Sequence, residues 1–176
     1  MAWPTKLAVL RTKAYAKIFN YQLTLPELQR FLITSHPLFI TSKKSPNFSF
    51  ELKQLPIFRF IPWVKLVALT GARAMNNASA NDDIDLMIIT SKNRLWLTRL
   101  LLSILLFPWL RRAKKISRRL CLNLWLDESA LAIKTRNLYT AHEICQLKPL
   151  YNCEATYQKF ISANLWVKTY LANWTP

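Results

Sequence analysis

The sequence predicts an α+β fold: a small mixed β-sheet packed by helices, with helical segments at both ends of the chain. Three observations carry that expectation. β-rich runs at Val64 to Leu69, Ile84 to Thr90 and Leu120 to Leu126 occupy the middle of the chain. Helical periodicity occupies both ends, and a long apolar helical stretch lies between the second and third β-runs. With 176 residues, 52% of them hydrophobic and seven Trp, the chain can fill the core of one domain of ordinary size, and a disordered state is excluded. The expected division is a helical N-terminal segment with a connector over 1–60, a core over 61–135, and a helical C-terminal segment packed on the core over 136–176.

Taken in order, residues 5 to 19 read as a helix, with Leu7, Leu10, Ala14 and Ile18 at helical spacing and Lys6, Lys13 and Lys17 on another, solvated face. Thr24-Leu25-Pro26-Glu27 fits a capping box opening a second short helix to about Ile33. From His36 to Pro62, prolines at 37, 46, 56 and 62 mark a connector, in which Asn47 to Leu52 alternates as a short edge strand would. After the second β-run, Ser91 can cap a long apolar helix reaching about Phe107, where Pro108 stops it. That helix is expected to be buried in the core, together with the aromatics at 96, 107, 109, 125 and 166. Arg111 to Arg119 forms a basic bridge to the third strand. Thr140-Ala141-His142-Glu143 is another capping box, which puts His142 on a helix surface, and Ala155 to about Leu171 makes a final helix.

Charge is the unusual property of the composition. There are 25 Lys plus Arg against 9 Asp plus Glu, a net charge of +16, so a polyanionic partner is expected: nucleic acid, nucleotide phosphates or an anionic membrane surface. Cys121, Cys145 and Cys153 form no C-x-x-C pair, which fits a reducing, cytoplasmic setting without a cysteine-rich zinc site. No leader is expected at the N-terminus. Leu100 to Leu110 is an 11-residue apolar stretch, short of the roughly 20 residues a bilayer span needs, so no integral membrane association is expected. A membrane-surface role for the segment is the alternative.

The chemistry concentrates in one place. The chain has a single glycine, Gly71, where average usage would give roughly a dozen. It directly follows the first β-run, which points to unusual backbone geometry or close approach of a ligand to the main chain. Three of only four aspartates fall in Asp82-Asp83-Ile84-Asp85, at the start of the second run. In an extended segment Asp83 and Asp85 project from one face. Two carboxylates side by side suit Mg²⁺, which takes oxygen ligands and bridges carboxylates to substrate phosphates.

This arrangement, a strand, a glycine turn, about a dozen residues and then Asp-x-Asp opening another strand, resembles the nucleotidyltransferases of the polymerase β-like superfamily. Thr70 to Ala74 and Asp82 to Ile89 carry the specific part of the likeness. Ile61 to Leu69, Leu120 to Glu128 and Asn137 to Glu143 extend it toward an uncharacterised branch of prokaryotic nucleotidyltransferase-domain proteins. Members of that branch often begin with a winged-helix-like segment, which the opening around Tyr15 to Phe19 and Leu23-Thr24 resembles. The likeness covers most of residues 10 to 172. It implies Mg²⁺- or Mn²⁺-dependent transfer of a nucleoside monophosphate from an NTP to an acceptor, with release of pyrophosphate. Asp83 and Asp85 match the metal ligands and catalytic carboxylates. Gly71, with Ala72 and Arg73, matches the phosphate-contacting turn. RNA or another polyanion is among the acceptors such a fold serves.

Two departures bear on catalysis. The family serine after the glycine is Ala72 here, so a hydroxyl donor is missing while backbone N–H groups remain. The family's third carboxylate falls on a following strand, where the middle position of the odd-numbered face of Leu120 to Asp127 is Asn123, a poor proton acceptor. Asp127, on the same face about 7 Å further along, is the candidate to replace it. A nucleotide- or nucleic-acid-binding protein without turnover is therefore the second reading.

Overall fold

A computed structural model describes residues 3–37, 55–78, 82–110 and 119–176, with the side chains of Trp3, Pro4 and Trp109 outside the description. The expected strand over 47–52 and most of the basic bridge lie outside the described residues. The chain divides into two compact units, one built from 1–49, 134–145 and 165–176, the other from 50–133 and 146–164.

The second unit contains the sheet. Its strands are β1 (Val64–Leu69), β2 (Ile84–Thr90), β3 (Leu120–Asp127) and β4 (Lys148–Asn152), in the order β3-β2-β1-β4. β2 and β3 run parallel while the other two pairings are antiparallel, so the sheet is mixed, as the α+β expectation required. β1 and β2 are the central strands, and Val, Leu, Ile and Met side chains bury them on both faces. The exceptions are Lys65, which pairs with Glu154, and Asp85. β4 was not legible in the sequence because Pro149 interrupts a short run that survives only at a sheet edge, where a missing N–H is tolerated.

The helices of this unit are α3 (Leu55–Arg59), the single turn α4 (Gly71–Ala74), α5 (Leu95–Leu105), α6 (Phe107–Leu110) and α8 (Thr156–Ala163). Arg94 rather than Ser91 sits at the N-cap of α5, and the break at Leu106 falls just before Pro108. α5 corrects the expectation of a buried core helix. Only Thr98, Leu102 and then Leu106, one stripe at four-residue spacing, face inward, while Trp96, Leu97, Leu100, Ile104, Leu105 and Phe107 are exposed. A helix laid on one side of a sheet buries a single stripe, and the residues on its other side remain outside. Trp125 and Trp166 are half-buried. α8 stops at Ala163, short of Leu171, because the fully buried Asn164 turns its side chain to Ile133 N, Leu131 O and Phe160 O. A 3₁₀ turn, Leu165–Thr169, follows. Among the described residues no helix is long and apolar enough to cross a membrane.

The first unit packs α1 (Trp3–Ile18), α2 (Leu25–Arg30) and most of α7 (Leu138–Gln146). The Thr24 capping box is formed: Glu27 N donates to Thr24 Oγ1 at 3.4 Å and Thr24 N donates to Glu27 Oε2 at 2.9 Å. α2 ends at Arg30, three residues before the expected Ile33. α7 begins at Leu138, and Asn137 Oδ1 accepts from Thr140 N at 2.8 Å, so the capping role belongs to Asn137. His142 is consequently a turn inside the helix and only 5% exposed, stacked on Tyr15 with ring centroids 4.4 Å apart. The expected surface position is corrected on that ground. Trp174, fully buried, donates from Nε1 to Cys145 O at 2.8 Å.

Candidate functional site

The candidate site forms where β1 ends beside the start of β2. Antiparallel pairing sets Leu69 opposite Leu86, and Thr70 N donates to Asp85 O at 2.9 Å, carrying the pairing one residue past the strand. At Gly71 the backbone turns with φ +64°, a left-handed conformation. A Cβ at this position would lie 2.7 Å from Asp85 Oδ2 and 3.5 Å from its Cγ. Both conditions select glycine, since a side chain there is strained in its backbone and collides with the carboxylate. The chain's only glycine is therefore the residue that lets the turn pass directly against Asp85. Ala72 O closes the turn by accepting from Met75 N at 3.2 Å and Asn77 N at 2.9 Å.

Arg73 ties the two halves of the site together. Its Nε donates to Asp83 O at 3.0 Å and its Nη2 to Asp82 O at 2.8 Å, which fixes the acidic segment against the glycine turn. The resemblance sets Arg73 in the phosphate-contacting turn, and in the structure its guanidinium lies on the backbone of the acidic segment.

Asp83 and Asp85 are both half-buried. Asp83 Oδ1 is a buried acceptor with no hydrogen-bond partner among the described residues, a costly arrangement for a carboxylate oxygen. Burial pushes the Asp85 carboxyl above its ordinary range; the charges of Asp83 and Asp82 add to this, and the Cys121 thiol and Arg73 partly offset it. Two crowded carboxylates, one with an orphaned oxygen, form a donor set of hard oxygens that fits a Mg²⁺-class cation completed by water and phosphate oxygens. Among the described residues no group of three or more His, Cys, Asp or Glu side chains is arranged to hold a metal ion.

The neighbour of the pair on β3 is Cys121. The parallel register sets Asp85 opposite Cys121, and the thiol hydrogen-bonds to the carboxylate; burial first, and then Asp85, raise its pKa. The period-2 alternation in Leu120 to Asp127 was readable, but which residue faced Asp85 depended on strand register. Asn123 is exposed and skipped by the ladder, because the pairing shifts from Leu86 with Leu122 to Met87 with Leu124. Asp127 pairs with Thr90, five residues along β2 from Asp85 and so roughly 17 Å away by strand rise. Its carboxylate accepts from Asn93 N at 2.6 Å, Ser129 N at 2.8 Å and Ser129 Oγ at 2.6 Å. Burial would raise its pKa, but these hydrogen bonds outweigh burial and hold it below the usual carboxylate range. The structure thus brings Gly71, Ala72, Arg73, Asp83 and Asp85 together and leaves Asp127 at the other end of the sheet, where it fixes a loop.

No protein-family model matches the chain, and no curated protein matches it. A solved structure described as the crystal structure of a toxin-antitoxin with AMP-PNP is similar over 63% of this chain and 86% of that one, at 18% identity and a TM-score of 0.33. A likeness at that level establishes neither a shared fold nor an activity, and the reading of the site rests on its own geometry.

Proposed function

We propose that this chain is a metal-dependent nucleotidyltransferase that moves a nucleoside monophosphate from an NTP to an acceptor and releases pyrophosphate. The observation that carries the reading is the contact between Gly71 and Asp85: a left-handed glycine whose missing Cβ leaves room for a carboxylate. Asp83 and Asp85 would hold Mg²⁺ or Mn²⁺, the ion supplying charge neutralisation of the phosphates during in-line displacement. The turn from Gly71 to Arg73 would offer main-chain N–H groups to the triphosphate, and Arg73 keeps the acidic segment in place for it. In the reaction an acceptor hydroxyl oxygen bonds to the α-phosphorus and gives up its proton to solvent, the bond from that phosphorus to the bridging oxygen breaks, and pyrophosphate leaves with the bond electrons. The excess of cations supports RNA or another polyanion as acceptor.

Two observations favour a second reading, nucleotide binding without turnover. The position beside Asp85 on β3 is a thiol, and Asp127, the replacement for a third carboxylate, is committed to Asn93 and Ser129. Label transfer separates the two. The intact protein is incubated with each NTP labelled at the α-phosphate, Mg²⁺ or Mn²⁺, and a pool of RNA, metabolites and protein, beside a D83A/D85A variant. Label entering one fraction only with both aspartates and metal is the outcome expected of the enzyme. Metal-dependent NTP binding without transfer supports the second reading, and absence of NTP binding removes both.

A further inference from the structure

α5 and the start of α6 carry apolar side chains on their outer face as well as on their inner one. The inward stripe of Thr98, Leu102 and Leu106 is covered by the sheet, yet Trp96 is 76% exposed, Leu100 58% and Ile104 64%, with Leu97, Leu105 and Phe107 beside them. Large exposed apolar side chains placed contiguously on one helix face mark an interaction surface. What covers it is constrained by charge. The sequence from Leu95 to Leu110 contains no acidic residue, Lys92, Arg94 and Arg99 flank or interrupt it, and the whole chain carries +16. Arg99 lies over the Trp96 ring at 5.7 Å and the Trp125 ring at 6.0 Å, which sets a cation among exposed aromatic and aliphatic side chains. A second copy of the chain would bring another +16 to this face, where the nearby carboxylates, Asp127 and Glu128, are already engaged by Asn93 N and Lys92 N, an unfavourable pairing on net charge.

We infer that the outer face of α5–α6 docks on an anionic lipid surface. Apolar side chains with flanking cations, on a helix too short to span, are the combination that lies in the headgroup region: aliphatic groups and Trp insert shallowly while Arg and Lys meet lipid phosphates. The binding face is separate from the candidate nucleotide site, because α5 follows the Thr90 end of β2 whereas Asp83 and Asp85 stand at its start.

The test is co-sedimentation of the full chain, at low salt, with vesicles of phosphatidylcholine alone or with about one third phosphatidylglycerol. The wild type is expected to sediment with the anionic vesicles only, with a blue shift of Trp emission. L100E/I104E, at two exposed positions, is expected to lower partitioning about tenfold or more while circular dichroism and melting stay unchanged. If that variant folds poorly, quenching by brominated lipid decides, with the wild type quenched and W96F losing much of the effect. Failure of the wild type to sediment overturns the inference. Equal sedimentation of L100E/I104E, or equal quenching of W96F, overturns it too, assigning any binding to basic surface alone. A dimer in light scattering that L100E/I104E dissociates, without vesicle binding, gives the face to a second copy instead.

Discussion

Gly71 is under two constraints at once, a φ of +64° and a carboxylate oxygen where its Cβ would be. Gly71→Ala is therefore expected to lower stability by about 1 to 3 kcal/mol, from left-handed strain plus displacement of Asp85, and to reduce NTP binding; urea unfolding and nucleotide titration measure the two effects. Asp85 behaves oppositely. Its carboxyl is raised by burial and by Asp83 and Asp82, so Asp85→Asn removes a like-charge conflict and is expected to leave the melting temperature unchanged or higher while abolishing the further rise that Mg²⁺ with NTP produces in the wild type. Thermal melts with and without Mg²⁺ and NTP check this, and a lower melting temperature in the variant would contradict it. His142 adds a pH dependence. Burial lowers its pKa from 6.5 to about 4, so the unfolded chain binds the proton first on acidification. Stability from this group is complete above pH 6.5 and is lost as pH falls toward 4, by up to roughly 3 kcal/mol. His142→Phe, which keeps a ring against Tyr15, is expected to flatten that part of the stability profile in denaturant titrations.

The elements show where local signals sufficed and where they did not. The Thr24 capping box formed as read, because the bonds that make it lie within four residues of sequence. β1 and β2 also appeared where expected, since their apolar runs are long enough to be buried on both faces. β4 has no local signal because its strand character comes from pairing with β1, roughly eighty residues away, and not from its own composition. The final helix broke early for a similar reason: Asn164 bonds to Leu131 and Ile133, partners that no local pattern identifies. Asn164→Ala would remove the partner of the part-buried Ile133 N and Leu131 O and is expected to cost about 1 to 3 kcal/mol in all, with hydrogen exchange rising first around 131–133. Asn164→Asp, retaining one acceptor, should recover part of the loss.

The whole chain carries +16, and this net charge governs any long-range interaction regardless of which site is used. Binding to RNA or single-stranded DNA is expected to weaken steeply with salt, log K falling linearly with log salt concentration. Fluorescence anisotropy at several ionic strengths measures the slope; a flat dependence would show that the cations do not contact phosphates. The sequence by itself determined the α+β class, the charge, and the placing of a lone glycine after one strand and three aspartates at the start of the next, because each is a property of composition or of neighbours along the chain. Tertiary structure alone decided that Gly71 lies against Asp85, that Cys121 and not Asn123 or Asp127 flanks the pair, and that α5 exposes its apolar side. Those outcomes depend on strand register and on which face of an element finds a partner, and a single residue of shift in pairing, such as the one at Leu86 and Met87, changes which side chain reaches the site.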